Sequence, residues 1–185
     1  MDLRKQRQMT VIRVKDGDQN FSFAFEDLVK FHGTKSICGL TVSLKVMEAA
    51  WEVAWSSGPP ERSNILVQSG FPGPGTRDGF ELVTRATSRD AYEILSDPPM
   101  GPLIGQAAKG SYFFRVSDGE KSVELALKPE VVPEGFVVQR RHLQTGAATA
   151  DEKAVFRKLQ FTFSEQLRAL LPSESVNVLS VSGLE

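Results

Sequence analysis

Cysteine and histidine are the scarce residue types of this chain. Its 185 residues include one cysteine, Cys38, and two histidines, His32 and His142. A single cysteine excludes a disulfide within the chain and a cysteine-rich zinc knuckle, and it is typical of a reducing compartment. Few positions are therefore available for nucleophilic or metal-binding chemistry.

Long apolar runs and an excess of one charge are also missing. No apolar run approaches the length of a membrane span, and the first 14 residues, MDLRKQRQMTVIRV, contain no apolar core of a signal peptide. Lys and Arg total 22 against 23 Asp and Glu. This balance argues against binding to nucleic acid or to an anionic membrane. We therefore expect a cytoplasmic protein with neither partner.

The strand patterns predict two hairpins. Residues 9–14 and 20–25 alternate apolar and polar side chains on either side of Asp16-Gly17, and residues 111–116 and 121–127 flank Asp118-Gly119. Further strands are predicted at 64–68 and 135–140. Short strands joined by hairpins, with helices between them, indicate an α+β fold with an antiparallel or mixed sheet.

Helical periodicity predicts the elements that cover this sheet. Apolar residues recur around most of the segment 39–55, which predicts a central buried helix. An amphipathic C-terminal helix follows a capping box formed by Thr149 and Glu152 and ends at Pro172. Shorter helices are predicted at 26–31, 78–85 and 89–95. We expect one domain over residues 1–172 and a tail over 173–185 that is either a strand or irregular.

His32 and Cys38 are the first candidates for chemistry, because they flank the loop before the central helix. A helix N-terminus and a nearby imidazole both favour a thiolate, so the two residues can act as a nucleophile and base or as metal ligands. The alternative is that Cys38 is a buried structural cysteine. Asp78 and His142 are the other available donors; their alternative roles are a helix N-terminal carboxylate and a solvated strand-end residue.

The loop SGFPGPG at 69–75 has the glycine content of a phosphate-binding loop. It lacks the Lys-Ser/Thr of a P-loop, and its prolines remove backbone donors. We therefore give this interpretation little weight.

The order of several segments resembles the FmdE-like family of formylmethanofuran dehydrogenase proteins. A Phe-rich lead at 23–29 runs into Lys30-Phe31-His32-Gly33, and a loop with Cys38 then opens a helix through Gly39. Family members typically carry Phe-His-Gly-His, then Cys-Pro-Gly and a helix. The similarity covers roughly residues 20–170, and order and spacing carry more of it than identity. Three later stretches fit the same order: 77–84, 101–114 with Lys109 in place of the family's lysine, and 123–129.

The resemblance implies an α+β core, a homodimer and a metal site. The metal, zinc or another divalent transition metal, is expected at His32, Cys38 and Asp78, and Lys109 is expected to bind a cofactor. Thr34 replaces the second His of the first motif, the Cys of the second motif is absent, and no cysteines remain for a C-terminal zinc finger.

Three functions stay open at this point. The first is an accessory or binding domain that holds a metal or small ligand in a pocket walled by the central helix and the His32 loop. It would serve one-carbon or molybdenum/tungsten enzyme metabolism, alone or in a larger oxidoreductase complex. The second is an enzyme in which Cys38 is the nucleophile, or His32 the base oriented by Asp78. The third is a metal-free, dimeric interaction module.

Overall fold

The computed structural model describes residues 11–183 and confirms the predicted α+β class. Within these residues, a two-stranded hairpin and a five-stranded sheet pack with helices around one hydrophobic core. In chain order the elements are β1 (Val11–Asp16), β2 (Gln19–Ala24), α1 (Phe25–His32), α2 (Ile37–Ala54), β3 (Leu66–Ser69), α3 (Pro74–Thr84), β4 (Tyr92–Ile94), β5 (Phe113–Ser117), β6 (Ser122–Leu127), α4 (Phe136–Gln144), α5 (Ala150–Ala169), α6 (Pro172–Ser175) and β7 (Val176–Ser182).

Both predicted hairpins are confirmed. β1 and β2 pair antiparallel around Gly17, whose positive φ of 59° suits a tight turn; residues 9 and 10 of the first predicted strand lie outside the described residues. β5 and β6 pair antiparallel across Asp118. The Asp118 carboxylate accepts hydrogen bonds from the backbone N–H groups of Glu120 and Lys121 and from the Trp55 indole, which fixes this second turn against α2.

Two segments were predicted with the wrong secondary structure. Residues 89–95, expected to be helical, contain β4, which pairs in parallel with β3. Asp90 has a φ of 55°, a left-handed conformation that a helix does not continue through. Residues 135–140, expected to be a strand, belong to α4, where Phe136 packs 5.0 Å from the Phe156 ring of α5. In both places tertiary contacts override local propensity.

The five-stranded sheet has the order β4-β3-β5-β6-β7. The last strand lies in the segment expected as a tail, and it pairs antiparallel with β6 from Val176 opposite Leu127 to Ser182 opposite Ser122. The strand alternative for this segment is therefore confirmed, and residue 172 does not mark an end of the fold.

The predicted central helix is confirmed as α2. It contacts α3, α5 and β6, and nearly all of its residues are buried. The capping box of the C-terminal helix is also confirmed, because the Thr149 hydroxyl accepts a hydrogen bond from the Glu152 N–H at 3.2 Å. No helix within residues 11–183 combines the length and apolar content needed to cross a membrane.

Candidate ligand-binding cavity

His32 and Asp78 form a close pair between α1 and α3. His32 Nδ1 lies 2.6 Å from Asp78 Oδ2, and the two side chains are 11% and 22% exposed. Burial raises the pKa of Asp78, but hydrogen bonds from His32 and Arg77 lower it by more than burial raises it. The pKa of Asp78 therefore lies below its ordinary value. An ionised carboxylate can only accept, so Nδ1 carries the shared hydrogen. This arrangement fixes the imidazole ring and leaves Nε2 for another partner.

Cys38 lies in a buried environment, whereas its position at the start of a helix led us to expect a stabilised thiolate. Its thiol donates a hydrogen bond to the backbone oxygen of Gln160, 3.1 Å away on α5. Burial raises the pKa of Cys38 to about 12, and its own backbone N–H and the Arg140 charge offset this only in part. The desolvation of a buried thiolate outweighs the helix terminus, so Cys38 is a protonated thiol at neutral pH.

The residues predicted as metal ligands do not all meet. His32 and Asp78 are in contact with each other, whereas the Cys38 thiol is hydrogen-bonded to the backbone oxygen of Gln160. Among residues 11–183, no group of three or more His, Cys, Asp or Glu side chains is placed to hold a metal ion. His142 lies on α4, where its Nε2 is 3.2 Å from Glu152 Oε1. The described residues therefore supply no complete donor set for a transition metal, which normally takes at least three protein ligands.

Cys38 instead lines a cavity of about 280 Å³ where the first turns of α2 and α3 meet. Glycines allow this approach: a Cβ on Gly39 would lie 2.9 Å from the backbone nitrogen of Thr76, and one on Gly75 would collide with the backbone oxygen of Ser36. The glycines of the SGFPGPG loop thus let the start of α3 pack directly against the start of α2. The lining residues are Lys35, Ser36, Cys38, Gly39, Phe71, Pro72, Gly73, Pro74, Gly75, Ala108, Lys109, Tyr112, Phe136, Arg140, Gln144 and Gln160.

The mouth of the cavity is positively charged. Lys35, Lys109 and Arg140 line it with exposed side chains, and no Asp or Glu is among the described lining residues. None of the three basic side chains has an ion-pair or hydrogen-bond partner within residues 11–183. Because like charges held near one another repel, a negatively charged ligand would be stabilised here.

The two helices that open on the cavity add to this potential. Neither α2 nor α3 has an acidic residue in its first turn or a side-chain cap. By contrast, the first turn of α1 contains Asp27, which accepts a hydrogen bond from the Ala24 N–H at 2.9 Å. Free N–H groups at a helix start carry partial positive charge and favour anions.

The inner wall of the cavity is aromatic. The Phe71 and Tyr112 rings lie 4.8 Å apart, and Phe136 closes another side. Tyr112 is only 3% exposed, yet its hydroxyl has no hydrogen-bond partner within residues 11–183. Burial and the neighbouring Cys38 raise the pKa of Tyr112, while the Arg140 charge lowers it. The phenol is therefore neutral, and its hydroxyl is a donor on the cavity that Arg140 also lines.

Lys109, predicted from the resemblance to bind a cofactor, lies on this cavity. Sequence analysis did not identify Lys35, Tyr112 or Arg140. Arg140 was hidden because residues 135–140 were predicted as a strand, and the other two contact the cavity only through the folded chain. The one local sequence signal for the cavity was the SGFPGPG loop. Its glycines allow the starts of α2 and α3 to approach each other, although its prolines remove backbone N–H donors.

Comparison with known proteins adds no family assignment. No protein-family model matches the sequence, and no curated protein matches it either. The resemblance to the FmdE-like family therefore stays a prediction.

Proposed function

We propose that this chain is a binding domain that holds a small organic anion in the cavity between α2 and α3. The observation that carries the proposal is the set of three unpaired basic side chains, Lys35, Lys109 and Arg140, around a cavity whose described lining has no acidic residue. The site has the position expected for the first of the three functions considered from the sequence, because the loop after His32 supplies Lys35 and the central helix supplies Cys38 and Gly39 to the lining.

Size limits the ligand. A volume of about 280 Å³ corresponds to roughly nine water molecules at about 30 Å³ each. Ligand pockets usually span about 300–1,000 Å³, so this one is small. It admits a metabolite of roughly a dozen non-hydrogen atoms and is too small to enclose a dinucleotide cofactor.

The wider role that fits this site is that of an accessory domain. On the resemblance to the FmdE-like family of formylmethanofuran dehydrogenase proteins, the domain serves one-carbon or molybdenum/tungsten enzyme metabolism in the cytoplasm, as a homodimer or within a larger oxidoreductase complex. The position of Lys109 on the cavity supports this role, since the same residue corresponds to the family's lysine.

Isothermal titration calorimetry with inorganic phosphate, acetate and benzoate tests anion binding. We expect at least one of them to bind, and Lys109→Gln and Arg140→Gln to weaken that binding at least about tenfold, or about 1.4 kcal/mol. Lys153→Gln is the matched control, because it removes the same charge from an exposed position on α5 outside the cavity. Binding of none of the three anions, or equal loss in all variants, would contradict the proposal.

The contact between His32 and Asp78 favours a second candidate function. A carboxylate that holds imidazole Nδ1–H leaves Nε2 oriented as a general base or as one ligand of zinc or another divalent transition metal. As a metal site it would need further ligands from solvent or from a second copy of the chain. In this role Asp78 orients His32, and Cys38 takes no part.

Metal content of the tag-free protein, measured by plasma mass spectrometry, tests the metal form of this candidate. This candidate predicts near-stoichiometric metal that is lost in His32→Ala and retained in Cys38→Ser. Protein purified from metal-supplemented medium without bound metal would rule it out.

A further inference from the structure

We infer that the ligand of the cavity is a small aromatic carboxylate. Its ring would pack against Phe71 and Phe136, and its carboxylate would lie between the Tyr112 hydroxyl and the Arg140 guanidinium. This inference rests on the proposed anion-binding function and adds the chemical class of the ligand.

The aromatic walls favour a flat ligand. Phe71 and Tyr112 form a tilted pair with an interplanar angle of 55°. Phe136 is held in place by Phe156 and Phe163 of α5, whose ring centroids lie 5.0 and 5.1 Å away. Rings fixed by their own packing do not rearrange to fit a puckered ligand, and they give an aromatic ring the edge and face contacts that it prefers.

Tyr112 marks the position of the acceptor. Its backbone is fixed by hydrogen bonds to Gly105 and Leu127, of 2.8 and 2.9 Å, so the phenol ring has a defined direction. The hydroxyl oxygen is not among the fully enclosed, unpaired side-chain atoms of residues 11–183, so it is open to the cavity, where a ligand oxygen can accept its hydrogen. Arg140 lines the same cavity as Tyr112 and Cys38, and its exposed guanidinium is available to the oxygens of a ligand held there.

The available donors suit a carboxylate better than a phosphate. Pro72 and Pro74 have no N–H, so the loop that resembles a phosphate cradle supplies fewer backbone donors than such a loop needs. The Cys38 hydrogen is already used by the Gln160 oxygen. A planar, two-oxygen group matches one phenol and the fork of an arginine.

Calorimetry with three probes tests this inference: benzoate, cyclohexanecarboxylate and inorganic phosphate. Cyclohexanecarboxylate carries the same charge on a puckered ring. We expect benzoate to bind at least about tenfold more tightly than either of the others. Tyr112→Phe should weaken benzoate about tenfold or more, because only the hydroxyl is removed. Tyr92→Phe is the control, since Tyr92 packs against Phe80 and does not line the cavity.

The outcomes separate this inference from the proposed function. Equal affinity for benzoate and cyclohexanecarboxylate, or tighter binding of phosphate, would overturn the aromatic carboxylate and leave an anion site. No binding of any probe would overturn both. If Tyr112→Phe does not fold, Phe71→Leu replaces it: this variant should weaken benzoate more than it weakens cyclohexanecarboxylate, and equal loss of the two would overturn the inference.

Discussion

Cys38 shows how burial decides the chemistry of a single residue. The start of α2 is a position that lowers the pKa of many thiols, yet here burial raises the pKa to about 12. The unfolded chain has an ordinary thiol with a pKa near 9.0. A thiol whose pKa is raised by folding stabilises the folded state fully below pH 9, and this contribution is lost as the pH rises towards 12.

Alkylation of Cys38 by iodoacetamide measures this effect. Three pKa units correspond to roughly a thousandfold smaller thiolate fraction, so at pH 7.5 we expect native protein to react at least about a hundredfold more slowly than protein in guanidinium chloride. Cys38→Ala gives the background. A native rate close to the unfolded rate would instead support the nucleophile hypothesis.

The contact between His32 and Asp78 predicts that a substitution of His32 changes the pKa of Asp78. Because the hydrogen bond from His32 lowers the pKa of Asp78 against the effect of burial, His32→Leu should raise that pKa relative to the unchanged protein. His142→Leu is the control, since His142 pairs with Glu152 on another part of the molecule. A carbon-13 titration of the Asp78 carboxyl group measures both variants.

The sign of the linked stability follows from the lowered pKa. The pair stabilises the folded protein above the ordinary value of 3.8, and this contribution is lost as the pH falls through the lowered pKa. An Asp78 pKa that does not change in His32→Leu would show that the 2.6 Å contact contributes nothing to the charge state.

At the scale of elements, α2 is unusual because it buries a charged pair along with its apolar residues. Lys45 Nζ lies 2.7 Å from Glu48 Oε2 and donates to the Leu170 backbone oxygen, and the two side chains are 2% and 7% exposed. Lys45 thus links the central helix to the end of α5. Burial and the negative charge of Glu48 also raise the pKa of Glu52 on the next turn.

Removal of one member of this pair should be costly. Lys45→Met leaves Glu48 buried without a partner, and we expect a loss of about 3–5 kcal/mol in the free energy of unfolding. Lys45→Met combined with Glu48→Gln should recover most of that loss, because no charge remains. Urea denaturation measures both; a double variant as unstable as the single one would contradict this account.

The crossing of α2 and α3 depends on a glycine. Gly75→Ala places a methyl group against the Ser36 backbone oxygen, so we expect a loss of about 1–3 kcal/mol in the free energy of unfolding. Gly58→Ala is the control, because a Cβ there meets nothing within 4 Å. Thermal unfolding compares the two, and equal melting temperatures would show that the helices can separate without cost.

Sequence analysis predicted the elements whose signals are local. The hairpins have Asp-Gly turns, and the helices α2 and α5 have apolar residues at helical spacing over many residues. These local patterns correctly predicted the elements that form. β4 is a three-residue strand that exists because β3 offers an edge, and α4 is a helix because Phe136 packs on α5. The cavity depends on both α4 and a glycine contact between distant segments. For this reason Cys38 and Lys109 are the only lining residues that were predicted from the sequence as site residues, although the SGFPGPG loop was also noted.

At the scale of the whole molecule, β7 completes the sheet. Val176, opposite Leu127, is 3% exposed, whereas Val181 nearer the open end is 37% exposed. Val176→Asp should therefore lower the free energy of unfolding by about 3 kcal/mol or more, since it buries an unpaired charge. Val181→Asp should cost about 1 kcal/mol or less. Urea denaturation of the two variants measures the difference, and equal costs would show that β7 is not fixed in the sheet.

The position of β7 also has a consequence for synthesis on the ribosome. Its partner β6 ends at Leu127, and roughly 55 residues must still be translated before β7 is complete. At about 5–20 residues per second this takes roughly 3–11 seconds. During that interval the nascent chain carries β6 with one open edge, which a trigger-factor-like chaperone can shield and which a neighbouring nascent chain on the same messenger RNA can capture.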